Sequence, residues 1–331
     1  MKLVRMSASR LDTMQSCSWI YWAKYILKIP DLSNEGSSRG TITHEILELL
    51  SKEKHSGVYD EIIQNDYIYH NLAIKRIVEY HAKRLEINDF DNLSMINDMA
   101  LVGLKNDFFG INEFGVPDRV VSEYNFDYEI DENKKKYSIN GFIDRAFIYD
   151  KAKIILIRDY KTSKQKFKGH KIEDNLQDSM YKLAMRKEYP GYSYLMEFEF
   201  LRFPKNPMLR TEITTESEFE GIEYYLSYLQ TILNSYDLEW AKSGCAKSKG
   251  FPKDGSFGGT LQCGKEFKKD GTKAYECPFK NPFNYYQLLD EKGNVLKTVR
   301  EENLDKLVPQ KGQKVLFKEY KGCCAYYPEN Y

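Results

Sequence analysis

The sequence predicts a mixed α/β protein in which helices flank a central sheet. Helical segments dominate up to about residue 109, three β segments follow between residues 120 and 160, and a helix, a strand and a helix then alternate up to residue 242. This order is typical of a layered α/β fold. Of the 331 residues, 42% are hydrophobic and 30% are charged, which is the composition of a soluble globular protein.

The N-terminal part predicts helices. Residues 9–12 have the spacing of a capping box, so an aromatic-rich helix is predicted over residues 11–27. A polar loop follows, and then an amphipathic helix over residues 41–51 with His44 in its first turn. The stretch of residues 59–110 contains no proline and predicts a helical insertion in the core.

Strands and helices alternate in the rest of the core. Runs of alternating apolar residues predict strands, and apolar residues at 3.6-residue spacing predict helices. The predicted strands are residues 120–130, 136–149, 154–160 and 194–203, and the predicted helices are residues 171–189 and 219–242. A short turn at Asp150 and Lys151 separates the second strand from the third, so we expect these two strands to pair.

The composition changes after about residue 243, where glycine, lysine and cysteine become frequent, and a hairpin is predicted at residues 286–297. We therefore predict a core domain over residues 1–243 and a Cys/Lys-rich C-terminal extension over residues 244–331 that packs on the core. No apolar run approaches the roughly 20 residues of a membrane-spanning helix. Residues 1–11 lack the apolar segment of a signal peptide, so we expect a cytoplasmic protein.

The net charge is zero, with 49 basic and 49 acidic residues. Domains that bind nucleic acids are usually basic, so the total by itself argues against such a partner. The charge is unevenly placed, however. Residues 241–331 contain 17 basic and 11 acidic residues, a net charge of +6, which leaves −6 for residues 1–240. A local basic groove is therefore compatible with the zero total.

Two carboxylates and a lysine stand at the ends of predicted core strands. Asp144 and Asp159 lie on adjacent strands, and Lys161 follows Asp159 at the two-residue spacing that places both on one face. Oxygen ligands of this kind suit magnesium or manganese, and such an ion assists phosphodiester hydrolysis. From spacing alone, solvated charges at strand ends explain the pattern equally well.

Five short motifs occur in a characteristic order. They are residues 7–11 with Cys17 and Tyr25, Gly40 to His44, Gly141 to Arg145, Asp159 to Thr162, and the pair Gln177 and Tyr181. Together they resemble the PD-(D/E)XK nuclease superfamily, and specifically its RecB-like branch, which includes AddAB-type, CRISPR-associated and phage RecB-like exonucleases. The resemblance covers most of residues 5–283 and implies a restriction-endonuclease-like α/β core.

The resemblance also implies a role for each matching residue. Asp144 and Asp159 match the metal-binding carboxylates, His44 matches a histidine of the metal shell, and the main-chain carbonyl of Tyr160 would be the remaining protein ligand. Lys161 matches the catalytic lysine. Without the resemblance, a lone histidine near a helix start is more often structural.

Three further positions belong to the implied site. Gln177 and Tyr181 are four residues apart on one helix face, and the resemblance places them at the active site, where they contact substrate or order the lysine. An ordinary amphipathic helix surface is the alternative. Glu123 is a secondary candidate, because the family often has an acidic residue on the preceding strand.

Many RecB-like nucleases hold a [4Fe–4S] cluster with one N-terminal and three C-terminal cysteines. The candidate ligands here are Cys17, Cys245, Cys263 and Cys277, with Cys323 or Cys324 as alternatives for the third C-terminal ligand. The chain lacks the compact pair of closely spaced cysteines that is usual for this site. A cluster, a zinc ion and buried free cysteines therefore all stay open.

A lysine-rich loop follows the catalytic motif. Its candidate DNA-binding residues are Lys164, Lys166, Phe167, Lys168 and Lys171. Lysines at such spacing can follow a phosphate backbone, and a phenylalanine among them can stack on a base. A solvated lysine loop is the alternative.

These observations predict a metal-dependent deoxyribonuclease, most simply an exonuclease that acts on DNA ends or single strands in replication, recombination or repair. The sequence contains no helicase P-loop motif, so any helicase or recombination protein would be a separate partner. A bacterial or phage-infected cell is the expected setting. The alternatives are a catalytically idle nuclease fold that binds DNA or assembles with partners, and a structure-specific endonuclease.

Overall fold

The computed structural model describes residues 3–32, 34–168, 172, 174–246 and 277–331. Contacts between residues divide the chain into two compact units. The first unit contains Met1–Ala8 and Ser33–Thr231, and the second contains Ser9–Leu32 and Ile232–Tyr331. The predicted domain division at residue 243 remains a prediction, and each unit is described by itself below.

The elements are numbered in chain order. The α-helices are α1 (Ala8–Ser16), α2 (Ser18–Tyr21), α3 (Glu35–Leu50), α4 (Ser56–Asn65), α5 (Leu72–Arg84), α6 (Phe90–Lys105), α7 (Leu176–Glu188), α8 (Glu216–Asn234) and α9 (Leu238–Ser243). The strands are β1 (Arg119–Glu132), β2 (Lys135–Tyr149), β3 (Ile154–Lys161), β4 (Ser193–Phe200), β5 (Met208–Arg210), β6 (Phe283–Leu289), β7 (Val295–Arg300) and β8 (Lys314–Tyr320). Within the described residues, no helix combines the length and apolar character needed to cross a membrane.

The first unit contains a five-stranded mixed sheet in the order β1-β2-β3-β4-β5. β2 pairs antiparallel with β1 and β3, β4 pairs antiparallel with β5, and β3 pairs parallel with β4. Because parallel strands need a crossover connection, α7 lies between β3 and β4 in the chain. This architecture, a mixed sheet with flanking helices, confirms the predicted fold class.

Helices α3 to α6 pack together in the first unit, and α5, α6 and most of α4 lie in the proline-free stretch that predicted helices. Their apolar faces share one buried cluster, which also includes Tyr160 of β3 and Leu201 after β4. The centre of β3 is buried as well, from Ile155 to Tyr160. A buried strand that begins with four apolar residues and then carries Arg158, Asp159 and Lys161 therefore runs through the middle of this unit.

Helix α3 begins earlier than predicted. The segment expected to be a polar loop is its first two turns, because the Asn34 side chain accepts a hydrogen bond from Ser37 N and caps the helix. His44 consequently lies in the middle of α3 and not in its first turn. The expected position of the histidine along the helix was wrong, although the helix itself was predicted.

The single helix predicted over residues 11–27 was also wrong. Cys17 has an extended backbone that separates α1 from α2, and a π-helical turn, Trp22–Ile26, follows. The predicted helix over residues 219–242 is likewise two helices. Asp237 caps the second one by accepting a hydrogen bond from Trp240 N.

The second unit contains a three-stranded antiparallel sheet in the order β7-β6-β8. The predicted hairpin is formed by β6 and β7, whereas β8 was not predicted. An aromatic core holds the sheet against the N-terminal helices. Trp19 Nε1 donates a hydrogen bond to the Tyr320 hydroxyl at 2.5 Å, and that hydroxyl donates to the Phe279 carbonyl at 2.8 Å.

Candidate active site

The site begins where the pairing of β2 with β3 stops. The last paired residues are Arg145 and Arg158. Beyond them, Asp144 Oδ2 accepts a hydrogen bond from Tyr160 N at 2.7 Å, so a carboxylate takes the place of a neighbouring strand. The N–H and C=O groups of one strand residue point toward the same neighbour. The Tyr160 carbonyl is therefore directed to the side of Asp144.

Asp159 is the buried acid of the site, with 4% of its surface exposed. Gln177 Nε2 donates a hydrogen bond to its Oδ1 at 2.6 Å. Lys161 Nζ lies 2.7 Å from Oδ2 and forms an ion pair with it. Burial raises the pKa of Asp159, Lys161 lowers it, and Asp144 raises it again, and the pKa is raised overall.

Lys161 and Gln177 complete a short polar chain. Lys161 Nζ donates a hydrogen bond to Gln177 Oε1 at 2.6 Å, and Gln177 Nε2 donates to the Tyr181 hydroxyl at 2.9 Å. Burial raises the pKa of Tyr181, which therefore stays a neutral phenol. The amide of Gln177 thus contacts Asp159, Lys161 and Tyr181 at once, and it holds the Lys161 ammonium next to Asp159.

His44 approaches the carboxylates from α3. Its Nδ1 lies 3.5 Å from Asp144 Oδ1, and its ring meets the Tyr160 ring edge to face. Burial lowers the pKa of His44, but the hydrogen bond with Asp144 and the charges of Asp144 and Asp159 outweigh this, so the pKa is raised overall. An imidazole and two carboxylates therefore converge, and we call His44, Asp144, Asp159, Lys161, Gln177 and Tyr181 the carboxylate site.

Gly40 allows α3 to come close to the end of β3. A Cβ atom at this position would stand 2.9 Å from Thr162 Oγ1, which is closer than ordinary van der Waals contact. The glycine–histidine motif is thus explained physically: the glycine permits the approach, and the histidine one turn later reaches Asp144.

Glu123 lies across from Asp144. The paired residues on either side are Ser122 with Arg145 and Tyr124 with Ile143. Glu123 has a positive φ of 50°, an uncommon backbone state that is enriched at functional sites. Its side chain is exposed, yet partial desolvation and then the charge of Asp144 raise its pKa to about 7. The structure therefore places this secondary candidate beside the carboxylate site.

Some side chains of the lysine-rich loop are exposed, and others contact the rest of the fold. Lys164 and Lys168 are exposed, whereas Lys166 Nζ donates a hydrogen bond to the Asn206 carbonyl. The Phe167 ring packs edge to face against Phe198 and Phe200, with ring centroids 4.9 and 5.3 Å away. Its ring is thus engaged in the fold. Lys171 lies outside the described residues.

The cysteines that come together in the second unit are Cys17 and Cys245 of the predicted candidates and both alternatives, Cys323 and Cys324. Cys245, Cys323 and Cys324 have their sulfur atoms within 4.8 Å of one another, and Cys17 is hydrogen-bonded to Cys245. Cys277 packs against the same apolar cluster. The remaining candidate, Cys263, lies outside the described residues.

Sequence reasoning missed Asn175. Its side chain accepts hydrogen bonds from Gln177 N and Asp178 N, both at 3.0 Å, and so caps α7 and sets the position of Gln177. An asparagine immediately before a periodic apolar segment is a recognised cap signal. It was overlooked because the helix was predicted to begin at residue 171.

The family of this chain follows from a comparison with known proteins. The model of the PD-(D/E)XK nuclease superfamily matches residues 5–246. No curated protein matches the chain. Nine chains of solved structures match, among them the crystal structure of SSO0001, at 21% identity and a TM-score of 0.28 over 53% of this chain and 78% of that chain. Because the family model covers most of the sequence, this chain belongs to the PD-(D/E)XK nuclease superfamily.

Proposed function

We propose that this protein is a magnesium- or manganese-dependent deoxyribonuclease of the RecB-like branch, and that it is an exonuclease acting on DNA ends or single strands. Superfamily membership indicates a metal-dependent nuclease. The observation that carries the proposal is the convergence of Asp144, Asp159 and Lys161 at the end of one buried strand, with Gln177 bonded to both the acid and the lysine.

The donor set fits a hard divalent cation. Asp159 Oδ2 is a buried carboxylate oxygen that already faces a positive charge, the Lys161 ammonium 2.7 Å away. Together with Asp144, the His44 imidazole and the Tyr160 carbonyl, it would hold the ion. When bound, magnesium or manganese polarises the scissile phosphate and makes a nearby water more acidic.

The protein's own residues prepare the reaction in three ways. Gln177 and Asp159 hold the Lys161 ammonium in one place, where it can orient a water molecule or stabilise negative charge that develops on the phosphate. Burial of Asp159 keeps bulk water away and strengthens these interactions. Tyr181 fixes the far side of the Gln177 amide, so the lysine is positioned before substrate binds.

The finer parts of the proposal rest on the order of the five motifs and on the exposed lysines after β3. Lys164 and Lys168 can contact the phosphates of a strand that enters the carboxylate site. Replication, recombination or repair in a bacterial or phage-infected cell is the proposed setting. A separate helicase or recombination protein is the proposed partner, since the chain has no P-loop of its own.

The test uses end-labelled linear, circular and single-stranded DNA with magnesium, with manganese, and with a chelator. Wild type should degrade linear and single-stranded DNA when metal is present, and Asp159→Ala and Lys161→Ala should lose activity on the order of 10²–10³-fold. Lys136→Ala is the matched control, because Lys136 is an exposed lysine of β2 that pairs with Asp131 far from Asp144 along the strand.

Two outcomes contradict the proposal. If wild type cuts none of these substrates, the nuclease assignment fails. If circular DNA is cut as fast as linear DNA, the protein is an endonuclease and the exonuclease assignment is wrong.

A further inference from the structure

The cysteines of the second unit form a compact group that the proposed nuclease reaction does not use. The thiol cluster consists of Cys17, Cys245, Cys323 and Cys324. Cys245 is its centre: its Sγ lies 3.7 Å from that of Cys323, and it also forms hydrogen bonds with Cys17 and Cys324. Cys17, Cys245 and Cys323 are buried, and Cys324 is partly buried.

The spacing of the sulfur atoms distinguishes between kinds of metal centre. Tetrahedral zinc has Zn–S bonds of about 2.3 Å, so two sulfurs on the same ion stand about 3.8 Å apart. The Cys245–Cys323 distance of 3.7 Å has this value. In a four-iron cluster each cysteine binds its own iron, so the sulfurs must stand farther apart. The sulfurs of Cys245, Cys323 and Cys324 all lie within 4.8 Å of one another, so the spacing of these three fits one ion and does not fit a [4Fe–4S] cluster.

Backbone amides point at the sulfur atoms. Ala246 N donates a hydrogen bond to Cys17 Sγ at 3.4 Å, and the Ile20 amide donates to the same sulfur. The Ala325 amide donates to Cys323. Such outer hydrogen bonds orient metal ligands and stabilise thiolate charge.

We propose that the thiol cluster is a four-thiolate site for a single zinc ion. Binding replaces the four thiol protons with one Zn²⁺, and the protons leave to solvent. The ion would join three stretches of chain that lie far apart in sequence: the start of α2, the end of α9 and the turn after β8. Its role is structural, because four protein thiolates leave no position for a substrate.

The assignment is tested on the full-length protein purified with reductant, by measuring zinc, iron and acid-labile sulfide per chain. Wild type should contain about one zinc per chain and no sulfide. Cys245→Ser and Cys324→Ser should lose most of the zinc. Cys277→Ser is the matched control, because Cys277 packs against the same apolar cluster but lies outside the group of close sulfurs, and it should keep the zinc.

Two further measurements do not depend on whether the cysteine variants fold. Cobalt exchanged into the wild-type protein should show the visible absorption of a tetrahedral thiolate complex. A thiol-blocking reagent added to wild type should release zinc in proportion to the thiols that it modifies. Asp159→Ala should retain the zinc, which separates this proposal from the proposed nuclease activity.

Several results would overturn the assignment. Iron together with acid-labile sulfide would show that the site holds a [4Fe–4S] cluster and not zinc. The absence of any bound metal would show that the four cysteines are buried free thiols. A disulfide between Cys245 and Cys323 in protein purified without reductant, with no zinc after reduction, would make the pair a redox element. Loss of zinc in Cys277→Ser with retention in Cys324→Ser would move the site to other cysteines.

Discussion

The carboxylate site and the thiol cluster differ in how far apart along the chain their members lie. Apart from His44, the carboxylate site comes from residues 144–181, on two paired strands and the helix that follows. The thiol cluster joins Cys17 to Cys245 and to the pair Cys323 and Cys324. The first arrangement is brought together by local pairing, whereas the second depends on the packing of distant segments.

The two regions also differ in their polar surroundings. In the carboxylate site the partners of Asp159, Lys161 and Gln177 are charged or polar side chains. In the thiol cluster the partners are backbone amides and other thiols inside an aromatic core. Hard oxygen ligands and soft sulfur ligands thus lie in separate units, so the two proposed metals need not compete.

The largest expected effect comes from removing one charge of the carboxylate site. Asp144→Asn should lower DNA cleavage on the order of 10²–10³-fold, because the amide holds a cation poorly. Stability should change little, since the Asn oxygen can still accept the hydrogen bond from Tyr160 N. Cleavage rates and thermal unfolding are measured on the same samples, with exposed Asp131→Asn as the control. Unchanged cleavage would place the active site elsewhere, and loss of zinc would link the two regions.

The next largest effect concerns a buried acid outside both regions. Glu199 is fully buried and neither of its carboxylate oxygens has a hydrogen bond. Burial raises its pKa to about 8, although Arg158 opposes the shift. Because the folded state keeps the proton that the unfolded state loses, wild type loses stability as pH rises from about 4.5, the unperturbed value, to about 8.

Glu199→Gln removes this dependence, since glutamine stays neutral. The free energy of unfolding should match wild type below the unperturbed pKa and exceed it above pH 8, by on the order of a few kcal/mol. Denaturant unfolding across this pH range, with chelator present, measures the difference. Exposed Glu129→Gln is the control. A difference in the free energy of unfolding between wild type and Glu199→Gln that is the same at every pH would mean that Glu199 does not titrate in this range.

A smaller effect tests the approach of α3 to β3. Gly40→Ala should destabilise the protein by about 1–3 kcal/mol, because the added Cβ would press on Thr162 Oγ1. Gly221→Ala is the matched control: this helical glycine has open space around it, so the change should stabilise by about 0.5–1 kcal/mol. Denaturant midpoints measure both. Adding Thr162→Ala should recover most of the loss, and failure to do so would reject the steric explanation.

The smallest effect separates electrostatic contact from packing in the lysine-rich loop. Lys164→Ala is made in the inactive Asp159→Ala protein, and DNA binding is measured at several salt concentrations. The slope of the logarithm of the DNA association constant against the logarithm of the salt concentration should become shallower by about 0.7–0.9, the value of one phosphate contact. The stability of this variant should be unchanged because Lys164 is exposed. Phe167→Ala should instead lower stability, since the ring packs on Phe198 and Phe200. An unchanged salt slope would remove Lys164 from the DNA-binding surface.

Much of the first unit was predictable because its elements rest on local patterns. The strands at β1, β2 and β3 follow from short apolar patterns and a short turn, and the structure confirms them within one or two residues. The errors in helix bounds arose where a capping side chain, and not the spacing of apolar residues, sets the end of a helix. Asn34 starts α3 a turn and a half before the apolar pattern begins, and Asp237 divides the last long helix in two.

Other features could not be predicted because they depend on distant partners. The extended backbone of Cys17 interrupts the segment that was predicted as one helix, and Cys17 contacts Cys245 across more than two hundred residues. Strand β8 is exposed along most of its length, so its sequence has no clear buried face, and it forms by pairing with β6.

Local patterns in the sequence were enough to predict the mixed α/β class and the paired strands that carry Asp144 and Asp159. They also placed Lys161 on the same strand as Asp159, because both features follow from neighbouring residues and from the two-residue period of a strand.

Other contacts became visible only in the folded protein. His44 faces Asp144, Gln177 bridges Asp159 and Lys161, and Cys323 and Cys324 are the partners of Cys245. The physical reason is that these contacts form between elements, where packing sets the distance and local sequence does not.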